Sequence, residues 1–363
     1  MALKDLAEGQ IKTSAQIHQA SLPRLDTTED YLRSLTRVRL CSSLPTPLDR
    51  LPWLSEQTGV DLFIKREDAT GLAFGGNKIR NHEFIFGEIL DQGCDAVITT
   101  AGVQSNMCRA TAAAAAKLGL ECVLLLRGTG EEPEQGNLLL DHLLGADVRF
   151  IPTDDPYDPR VAVWLDEVKS ELEAKGRRPY VLHLTGETST LATCAYVNGA
   201  MELDAQFDEK EIDPDWIYVT SGSGITTAGL ATGMKHLGRR TRVVGVSSAA
   251  KSDFLIDRIV GYGNAAAEKL GIDTRLVSDD VTVCDQYIGP GYGKSYPAVI
   301  ETIERVAREE AVLLDPVYTG KCMTGLLDQI EKGVVKQGQT VVFLHSGGGP
   351  NIFNGNWSFP TNE

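Results

Sequence analysis

The stretch DAVITTAGVQSNMCRATAAAAAKLGLECVLLLRG, residues 95–128, indicates the fold more directly than any other segment of the chain. It reads as an apolar strand, a polar turn, a helix with a face of small residues, and a second apolar strand. Two such strands joined by a helix predict a parallel pair with the helix packed across it. Because strands covered on both faces read as nearly continuous apolar runs, we expect a sheet buried between layers of helices.

The same alternation continues on both sides of this segment. Further strands are predicted at residues 61–68, 147–154, 179–185, 215–224, 241–249 and 340–350, and further helices at residues 77–93, 133–146, 159–176, 225–238 and 296–310. This order predicts an α/β protein with open, twisted, mostly parallel sheets and helices on both faces. Residues 1–35 are polar and loosely periodic, which is typical of an N-terminal arm, with helical character expected near residues 27–35.

The composition and net charge of the chain argue against some classes of binding partner. The 363 residues carry a formal net charge of −15, which argues against nucleic acid or a membrane surface as the main partner. The seven cysteines are scattered and no C-x-x-C occurs, so neither disulfides nor a metal site is expected. We see no run of eighteen apolar residues and no secretory signal, and we therefore expect a cytoplasmic protein.

A glycine-rich loop, SGSGITTAGL at residues 221–230, joins an apolar strand to a helix. Backbone amides at the start of a helix stabilise an anion, so this loop is a candidate phosphate site. Gly222 and Gly224 fit the dinucleotide fingerprint, but Thr227 stands where the third glycine belongs. A phosphate monoester is therefore favoured over a pyrophosphate, with a plain tight turn as the alternative.

Two other glycine loops are weaker candidates. GPGYGKS, residues 289–295, is unlike a nucleotide-binding loop because Gly289 and Gly293 enclose three residues where that motif requires four. A nucleotide hydrolase is thus disfavoured. HSGGGP, residues 345–350, follows the last predicted strand, and ligands gather at the carboxyl ends of strands in such sheets. A turn with a structural His345 is the alternative.

The segment FGGNKIRNHEF, residues 74–84, places Lys78 at the start of a helix on a glycine-supported turn. A lysine amine becomes nucleophilic when burial or neighbouring charge lowers its pKa. Taken alone, a lysine after a pair of glycines is most often structural. Together with one phosphate site it predicts pyridoxal phosphate, whose aldehyde would form a Schiff base with Lys78 and whose phosphate would lie at residues 221–227. Asn77 would then hydrogen-bond the 3′-oxygen of the cofactor.

Five separated motifs extend this interpretation to a family. They are LPTPLDRLPWLSEQTGVDLFIKREDATGLAFGGNKIR (44–80), AGVQSNMCRATAAAAAKLGL (101–120), SGSGITTAGL (221–230), GPGYG (289–293) and LLDPVYTGKCMTGLL (313–327). Over about residues 37–350 the chain resembles the D-cysteine desulfhydrase and 1-aminocyclopropane-1-carboxylate (ACC) deaminase family. That family is a branch of the pyridoxal-phosphate enzymes of the tryptophan synthase β fold, or fold type II.

The resemblance implies roles for the matching positions. Lys78 would be the Schiff-base lysine and proton shuttle, Ser105 would assist catalysis, and Tyr292 and Tyr318 would be active-site tyrosines that stack on the ring or act as acid or base. Substrate contacts are expected from Gln104, Ser105, Asn106, Met107 and Tyr318. Cofactor contacts are expected from Asn77, Lys78, Asn106, Ser221, Gly222, Ser223, Gly224, Ile225, Thr226, Tyr292 and Thr319. No metal is expected.

Position 319 favours one reaction within the family. Deaminase members carry a glutamate there, facing the pyridine nitrogen, whereas this chain has Thr319. A hydroxyl stabilises a pyridinium less well, which favours prompt loss of a β-leaving group. We therefore expect α,β-elimination on a small amino acid such as D-cysteine, giving pyruvate, ammonia and hydrogen sulfide. An ACC-type deaminase and a cofactor-binding protein with little catalysis are the alternatives.

The substrate itself stays open at this point. Met107 and Cys108 stand where the family commonly has polar residues, so a thiol, a sulfonate, a halide or a larger group are all candidate leaving groups. The resemblance also implies two domains with the cofactor in the cleft between them. We expect a small domain, residues 72–188, inserted into a large one formed by residues 1–71 and 189–363, and a homodimer.

Overall fold

The computed structural model describes residues 30, 32, 34–155, 158–183 and 185–355, and confirms the α/β fold with two sheets. Most of the predicted N-terminal arm lies outside these residues. The strands are β1 Leu48–Arg50, β2 Asp61–Arg66, β3 Ala96–Gly102, β4 Glu121–Arg127, β5 Asp147–Ile151, β6 Pro179–Leu182, β7 Trp216–Ser221, β8 Arg242–Ser247, β9 Thr282–Cys284 and β10 Thr340–His345. The helices are α1 Pro52–Thr58, α2 Asn77–Asp91, α3 Asn106–Leu118, α4 Gly136–Leu143, α5 Arg160–Ala174, α6 Gly186–Glu209, α7 Ile225–His236, α8 Ser252–Lys269, α9 Pro297–Glu310 and α10 Thr319–Glu331.

The two sheets come from different parts of the chain. A six-stranded sheet has the order β1-β2-β10-β7-β8-β9, and all its pairs are parallel except the antiparallel β1–β2 edge. A four-stranded parallel sheet has the order β5-β4-β3-β6. The four-stranded sheet is formed entirely between β2 and β7 along the chain, as an inserted unit requires. Residues 72 and 188 as the limits of that unit stay a prediction.

The central strands are buried because helices cover both faces of each sheet. In β7 and in β10, every residue after the first is buried. Such strands need apolar side chains on both faces, which accounts for their uninterrupted runs of apolar residues. Burial on both faces holds the strands in place. The loops described below follow the carboxyl ends of these strands.

Helix α6, the longest in the described residues, was not predicted from the sequence. Its side chains are buried along most of its length, and small residues bring it close to α7. A Cβ added at Gly229 of α7 would lie 2.4 Å from the Cβ of Tyr196 in α6. A helix that is buried all round lacks the one-sided apolar stripe by which surface helices are recognised.

A buried ion pair anchors α2, the helix that carries Lys78. The guanidinium of Arg80 lies 2.7 Å from the carboxylate of Glu67, and both side chains are at most 1% exposed. Arg80 also contacts Glu202 at 3.0 Å, which ties α2 to α6. Because a buried charge is costly unless it is paired, this cluster fixes the position of α2 strongly.

Candidate active site

A cavity of about 820 Å³ lies where the carboxyl ends of strands from both sheets meet. This is the place at which open α/β sheets bind ligands, and the size is typical of a site for a small molecule. Its lining comprises Asn77, Lys78, Thr100, Ala101, Ser105, Asn106, Met107, Arg127, Asp154, Leu182, His183, Thr220, Gly222, Ser223, Gly224, Ile225, Thr226, Ser248, Ala249, Ala250, Arg258, Tyr292, Tyr318, Ser346 and Gly347.

Glycines allow the turn before Lys78 to pack directly against the loop after β10. A Cβ at Gly76, whose φ is 103°, would lie 3.2 Å from the carbonyl oxygen of Ser346, and a Cβ at Gly347 would lie 2.6 Å from the Cα of Gly76. The amide of Asn77 donates to the same Ser346 oxygen at 2.9 Å. The glycines of FGGNK thus bring the start of α2 to the wall of the cavity. The weaker HSGGGP candidate lines the cavity through Ser346 and Gly347.

The Lys78 amine is set apart from the surface lysines of the protein. Burial lowers the pKa of Lys78 to about 8. No carboxylate among the described residues forms an ion pair with it. Removal from water without a counter-ion favours the neutral, nucleophilic amine, the form that condenses with an aldehyde.

The loop before α7 forms an anion cradle facing that lysine. Helix α7 begins at Ile225, its N-cap Gly224 has a left-handed φ of 92°, and no side chain caps the helix. The first amides of a helix have no intrahelical acceptor, and the residues from Gly222 to Thr226 line the cavity. Asn77 Nδ2 donates to Thr226 Oγ1 at 3.0 Å, so the lysine turn and the cradle are joined directly.

Two buried hydroxyls at the cavity, the Oγ1 of Thr100 and the Oγ of Ser248, have no hydrogen-bond partner among the described residues. Leaving such groups unpaired costs about 1–3 kcal/mol each, which a ligand with several acceptor atoms recovers. A cradle of amides, an uncapped helix, a desolvated amine and unpaired hydroxyls together fit pyridoxal phosphate.

Two tyrosines lie opposite each other at the cavity. The hydroxyl oxygens of Tyr292 and Tyr318 are 2.5 Å apart, and their rings meet edge to face with centroids 6.0 Å apart. Burial raises the pKa of Tyr292 and raises that of Tyr318 well above its usual value. Both phenols are therefore neutral near pH 7 and share one hydrogen bond, so each is able to hold or give a proton.

The start of α3 forms the third wall. Ser105 caps the helix, and its Oγ accepts hydrogen bonds at 3.2 Å from the amides of Met107 and Cys108. Asn106 accepts from Asn137 Nδ2 at 2.9 Å. The positive end of the helix faces the cavity, which suits a carboxylate.

Three predicted site residues are not part of the cavity lining. Gln104 is bound to the backbone of α4, since its Oε1 accepts from the amide of Asn137 at 2.9 Å. Ser221 is buried and accepts from Thr227 at 3.2 Å. Thr319 is fully buried, and its hydroxyl lies 2.8 Å from the Asp315 carboxylate. Direct contact of these three residues with a ligand stays a prediction.

Other lining residues were missed by the sequence reasoning. Arg127 ends β4, His183 follows β6, Ser248 follows β8, and Arg258 comes from α8. For Arg127 the sequence did carry a signal, the charged residue that ends the apolar run LLLR. Polar residues at the carboxyl end of a parallel strand lie where such sheets bind ligands. His183 and Ser248 carry no local pattern that separates them from ordinary loop residues.

No group of three or more His, Cys, Asp or Glu side chains within the described part of the chain is arranged to hold a metal ion. Among the described residues, no helix combines the length and apolarity that a membrane crossing requires. The seven cysteines are all free thiols.

Two mostly parallel sheets covered by helices, with a desolvated lysine and a helix-start anion cradle at the cavity between them, define a class of cofactor-dependent enzyme. A family model described as pyridoxal-phosphate dependent enzyme matches residues 42–347. The chain belongs to this family of pyridoxal-phosphate dependent enzymes, and the resemblance seen in its motifs is confirmed.

Three similar proteins illustrate the relationship. The D-cysteine desulfhydrase of Klebsiella pneumoniae (strain 342) is 40% identical over 329 residues, which cover 89% of this chain and 98% of the relative. A solved structure of an ACC deaminase homologue is 36% identical, with a TM-score of 0.81, and covers 90% of this chain and 96% of that one. Threonine deaminase isoform 2 from Solanum lycopersicum shares the fold, at 18% identity and a TM-score of 0.62 over 90% of this chain and 85% of that one.

Proposed function

We propose that the protein catalyses α,β-elimination on a small amino acid such as D-cysteine, releasing pyruvate, ammonia and the β-substituent, here hydrogen sulfide. The observation that carries the proposal is the placement of the unpaired Lys78 amine at one cavity with the 222–226 cradle and the tyrosine pair. The similarity to a D-cysteine desulfhydrase supports the same reaction.

The cofactor would be held by residues from three elements. The amides of the cradle would bind its phosphate, Lys78 would bind its aldehyde carbon, and Asn77, already bonded to Thr226, would lie beside the ring. When bound, pyridoxal phosphate supplies an electron-accepting ring that makes the α-proton of an amino acid acidic.

The substrate would be oriented by the start of α3. The amides near Ser105 and Asn106 would hold its carboxylate at the positive end of the helix. Met107 is 7% exposed and lines the cavity, so it presents apolar surface beside the substrate and excludes water there. The Nζ of Lys78, neutral above a pKa of about 8, would accept the α-proton.

The tyrosine pair would serve the leaving group. With both pKa values raised, Tyr318 and Tyr292 keep their protons and are able to pass one to a departing β-substituent through their shared hydrogen bond. General acid assistance of this kind typically contributes about 10²–10⁴-fold to a rate.

An ACC-type deaminase is the second candidate, supported by the similarity to an ACC deaminase homologue. Thr319 argues against it. Its hydroxyl accepts from the amide of Asp315 and donates to the Asp315 carboxylate, both at 2.8 Å. Position 319 therefore offers the cofactor a hydroxyl in place of a carboxylate. The third hypothesis is a protein that binds the cofactor with little catalysis, and the presence of the tyrosine pair argues against this hypothesis.

The test begins with the cofactor. The purified protein should absorb visible light after incubation with pyridoxal phosphate, and borohydride reduction should leave a pyridoxyl group on the peptide containing Lys78. Lys78→Ala should lose the attachment and the turnover, whereas Lys117→Ala, at an exposed position, should keep both.

The reaction is then identified from products. D- and L-cysteine are assayed for pyruvate, ammonia and sulfide, and ACC for a four-carbon oxoacid. Pyruvate with sulfide supports elimination. An oxoacid from ACC without pyruvate from cysteine would favour the deaminase, and attachment without any turnover would favour a binding protein.

Assembly and location are part of the proposal. The family is commonly dimeric, and we infer a homodimer that works in the cytoplasm, for which seven free thiols are chemically suited. Light scattering on the purified holoprotein measures the mass directly. A mass of one chain would contradict the dimer.

A further inference from the structure

The turn that leads into α2 has an unusual backbone conformation. The four residues before Asn77, from Ala73 to Gly76, all have positive φ, with values of 43°, 68°, 62° and 103°. This left-handed region suits glycine, whereas Ala73 and Phe74 carry side chains that crowd the backbone there. Residues of this kind persist only where the surrounding structure holds them. The segment that brings Lys78 to the cavity is therefore strained and needs support from its surroundings.

Arg109, one turn into α3, supplies support of this kind. Its guanidinium is fully buried and donates to the carbonyl oxygen of Ala73 and, at 3.0 Å, to that of Gly75. Its Nε donates at 3.1 Å to Oδ1 of Asn137 in α4. Burial lowers the pKa of Arg109 to about 10, so the side chain is still charged near pH 7. Because hydrogen bonds from a charged donor are stronger than neutral ones, the two carbonyls of the turn are held firmly.

The other contacts of this turn lie at its end. Gly76 donates through its amide to the carbonyl of Glu67 at 3.0 Å, and its own carbonyl accepts from Thr70 Oγ1 at 3.1 Å. The side chain of Phe74 is 62% exposed, so its packing holds the turn only weakly. Of the side chains in the described part of the protein, Arg109 alone forms a hydrogen bond with the strained first half of the turn.

The same hydrogen-bond network reaches the substrate side of the cavity. Asn137, which accepts from Arg109, donates through Nδ2 to Oδ1 of Asn106 at 2.9 Å. Asn106 begins α3 and lines the cavity together with Lys78. Two fully buried side chains, Arg109 and Asn137, thus connect the lysine turn to the helix start that is proposed to hold the substrate carboxylate.

We propose that Arg109 is a positioning residue for Lys78, because it holds the strained turn of residues 73–76 in the conformation that keeps the Lys78 amine at the cavity with the 222–226 cradle. The proposal rests on the role proposed above for Lys78 in binding the cofactor aldehyde. Arg109 does not line the cavity, so it acts through the turn and not on the cofactor or substrate. Without Arg109 the turn relaxes towards negative φ at Ala73 and Phe74, and the start of α2 moves with it.

The first test measures cofactor capture, which does not depend on the identity of the substrate. Apoprotein is mixed with pyridoxal phosphate by stopped flow at several pH values, for wild type, Arg109→Met, Arg109→Lys and the exposed-site control Arg240→Met. Arg109→Met should slow the gain of visible absorbance about 10- to 100-fold, as expected for the loss of hydrogen bonds from a charged donor. Arg109→Lys, which keeps the charge without the planar fork, should be intermediate, and the control should match wild type.

The pH profile of capture and the relief of strain separate positioning from a general loss of stability. The pKa of Lys78, read from the pH at which the rate levels off, should move in Arg109→Met from about 8 towards the ordinary value of 10.5, because the amine gains access to water. Ala73→Gly removes the crowded Cβ, so it should restore the capture rate of Arg109→Met about three- to tenfold. Ala311→Gly is the matched control, since Ala311 has a φ of 54° at the exposed end of α9, outside the cavity lining, and it should restore nothing.

Capture by Arg109→Met at the wild-type rate, an unchanged pKa of Lys78, or equal rescue by the two glycine variants would overturn the inference, and equal rescue would make Arg109 a purely structural residue. If urea unfolding shows that Arg109→Met does not fold, the same comparisons are made in Arg109→Lys. Borohydride reduction of the wild type identifies the modified lysine separately, and a pyridoxyl group away from Lys78 would contradict the proposed function and the inference together. Capture that depends on Arg109 without turnover of any amino acid would contradict the elimination alone.

Discussion

The hydroxyl oxygens of Tyr292 and Tyr318 lie 2.5 Å apart, so the two phenols share one hydrogen bond. Tyr292 comes from the GPGYG loop, and its side chain is half exposed although its hydroxyl is bonded to that of Tyr318, the N-cap of α10. The carbonyls of Ile288 and Gly291 accept from the Lys321 amine at 2.7 and 3.0 Å, which holds that loop against α10. Two segments distant in the chain thus form one acid–base pair.

Removing either hydroxyl should impair catalysis without loss of the cofactor. Tyr318→Phe and Tyr292→Phe should each lower kcat about 10²-fold, because the pair is proposed to protonate the leaving group. The double variant should fall little further, since one hydrogen bond is lost in every case. Steady-state kinetics and the visible spectrum measure the two effects. Tyr287→Phe, outside the cavity, is the matched control, and losses that multiply would contradict a shared role.

Cofactor capture by the apoprotein should depend on pH through Lys78. Burial lowers its pKa to about 8, so the reactive neutral amine becomes abundant as pH rises through that value. The rate of visible absorbance gain should increase about tenfold per pH unit below about pH 8 and level off above it. Stopped-flow mixing with pyridoxal phosphate gives the profile. A rise that continues beyond about pH 9 would show an ordinary lysine.

The anion cradle should tolerate no side chain at Gly224. Its φ of 92° is strained for other residues, and an added Cβ would lie 2.9 Å from Cγ1 of Ile259. Gly224→Ala should weaken pyridoxal phosphate binding at least about tenfold, the equivalent of about 1.4 kcal/mol, as measured by spectral titration. Gly145→Ala has a similar φ of 78° with open space around it, so it separates backbone strain from damage to the cradle. Equal affinity in both variants would contradict the assignment.

The Glu67–Arg80 pair should make a pH-dependent contribution to stability. Burial alone would raise the pKa of Glu67, but the Arg80 guanidinium outweighs it and holds that pKa at about 2. An acid with a lowered pKa stabilises the fold above its unfolded value near 4.5, and this stability is lost as pH falls towards 2. Glu67→Gln should cost about 1–3 kcal/mol at pH 7, because Arg80 loses its fully buried charged partner and keeps the contact with Glu202.

Urea unfolding at several pH values measures this contribution. The wild-type protein should lose stability between about pH 4.5 and pH 2, and the Glu67→Gln variant should show a flatter dependence over that range. Glu131→Gln, at an exposed site, should behave as wild type. Parallel curves for the wild type and Glu67→Gln would contradict the role of the pair.

The sequence predicted the fold class and the elements with strong patterns. Uninterrupted apolar runs predicted β3, β4, β7 and β10, because a strand covered on both faces needs apolar side chains throughout. It failed for α6, whose small and hydroxyl-bearing residues show no one-sided stripe, and for α8, where Gly261 and Gly263 interrupt the pattern. In both helices tertiary packing outweighs local propensity.

Cavity-lining residues close to a glycine motif were among those predicted from the sequence, and lining residues brought in by distant segments were not. Lys78 and the 222–226 cradle were recognisable in the sequence, because a turn and a helix start are determined by neighbouring residues. Arg127 and Ser248 have no such motif. They line the cavity because non-consecutive strands end there, which the strand order determines.

The amino-acid order therefore determined the local chemistry: a lysine on a glycine turn, an uncapped helix start and two tyrosines in a family-like pattern. The tertiary structure decided which of these groups meet, how far each is withdrawn from water and which charges stay unpaired. The physical reason is that backbone conformation depends on near neighbours, whereas desolvation and ion pairing depend on groups that only folding brings together.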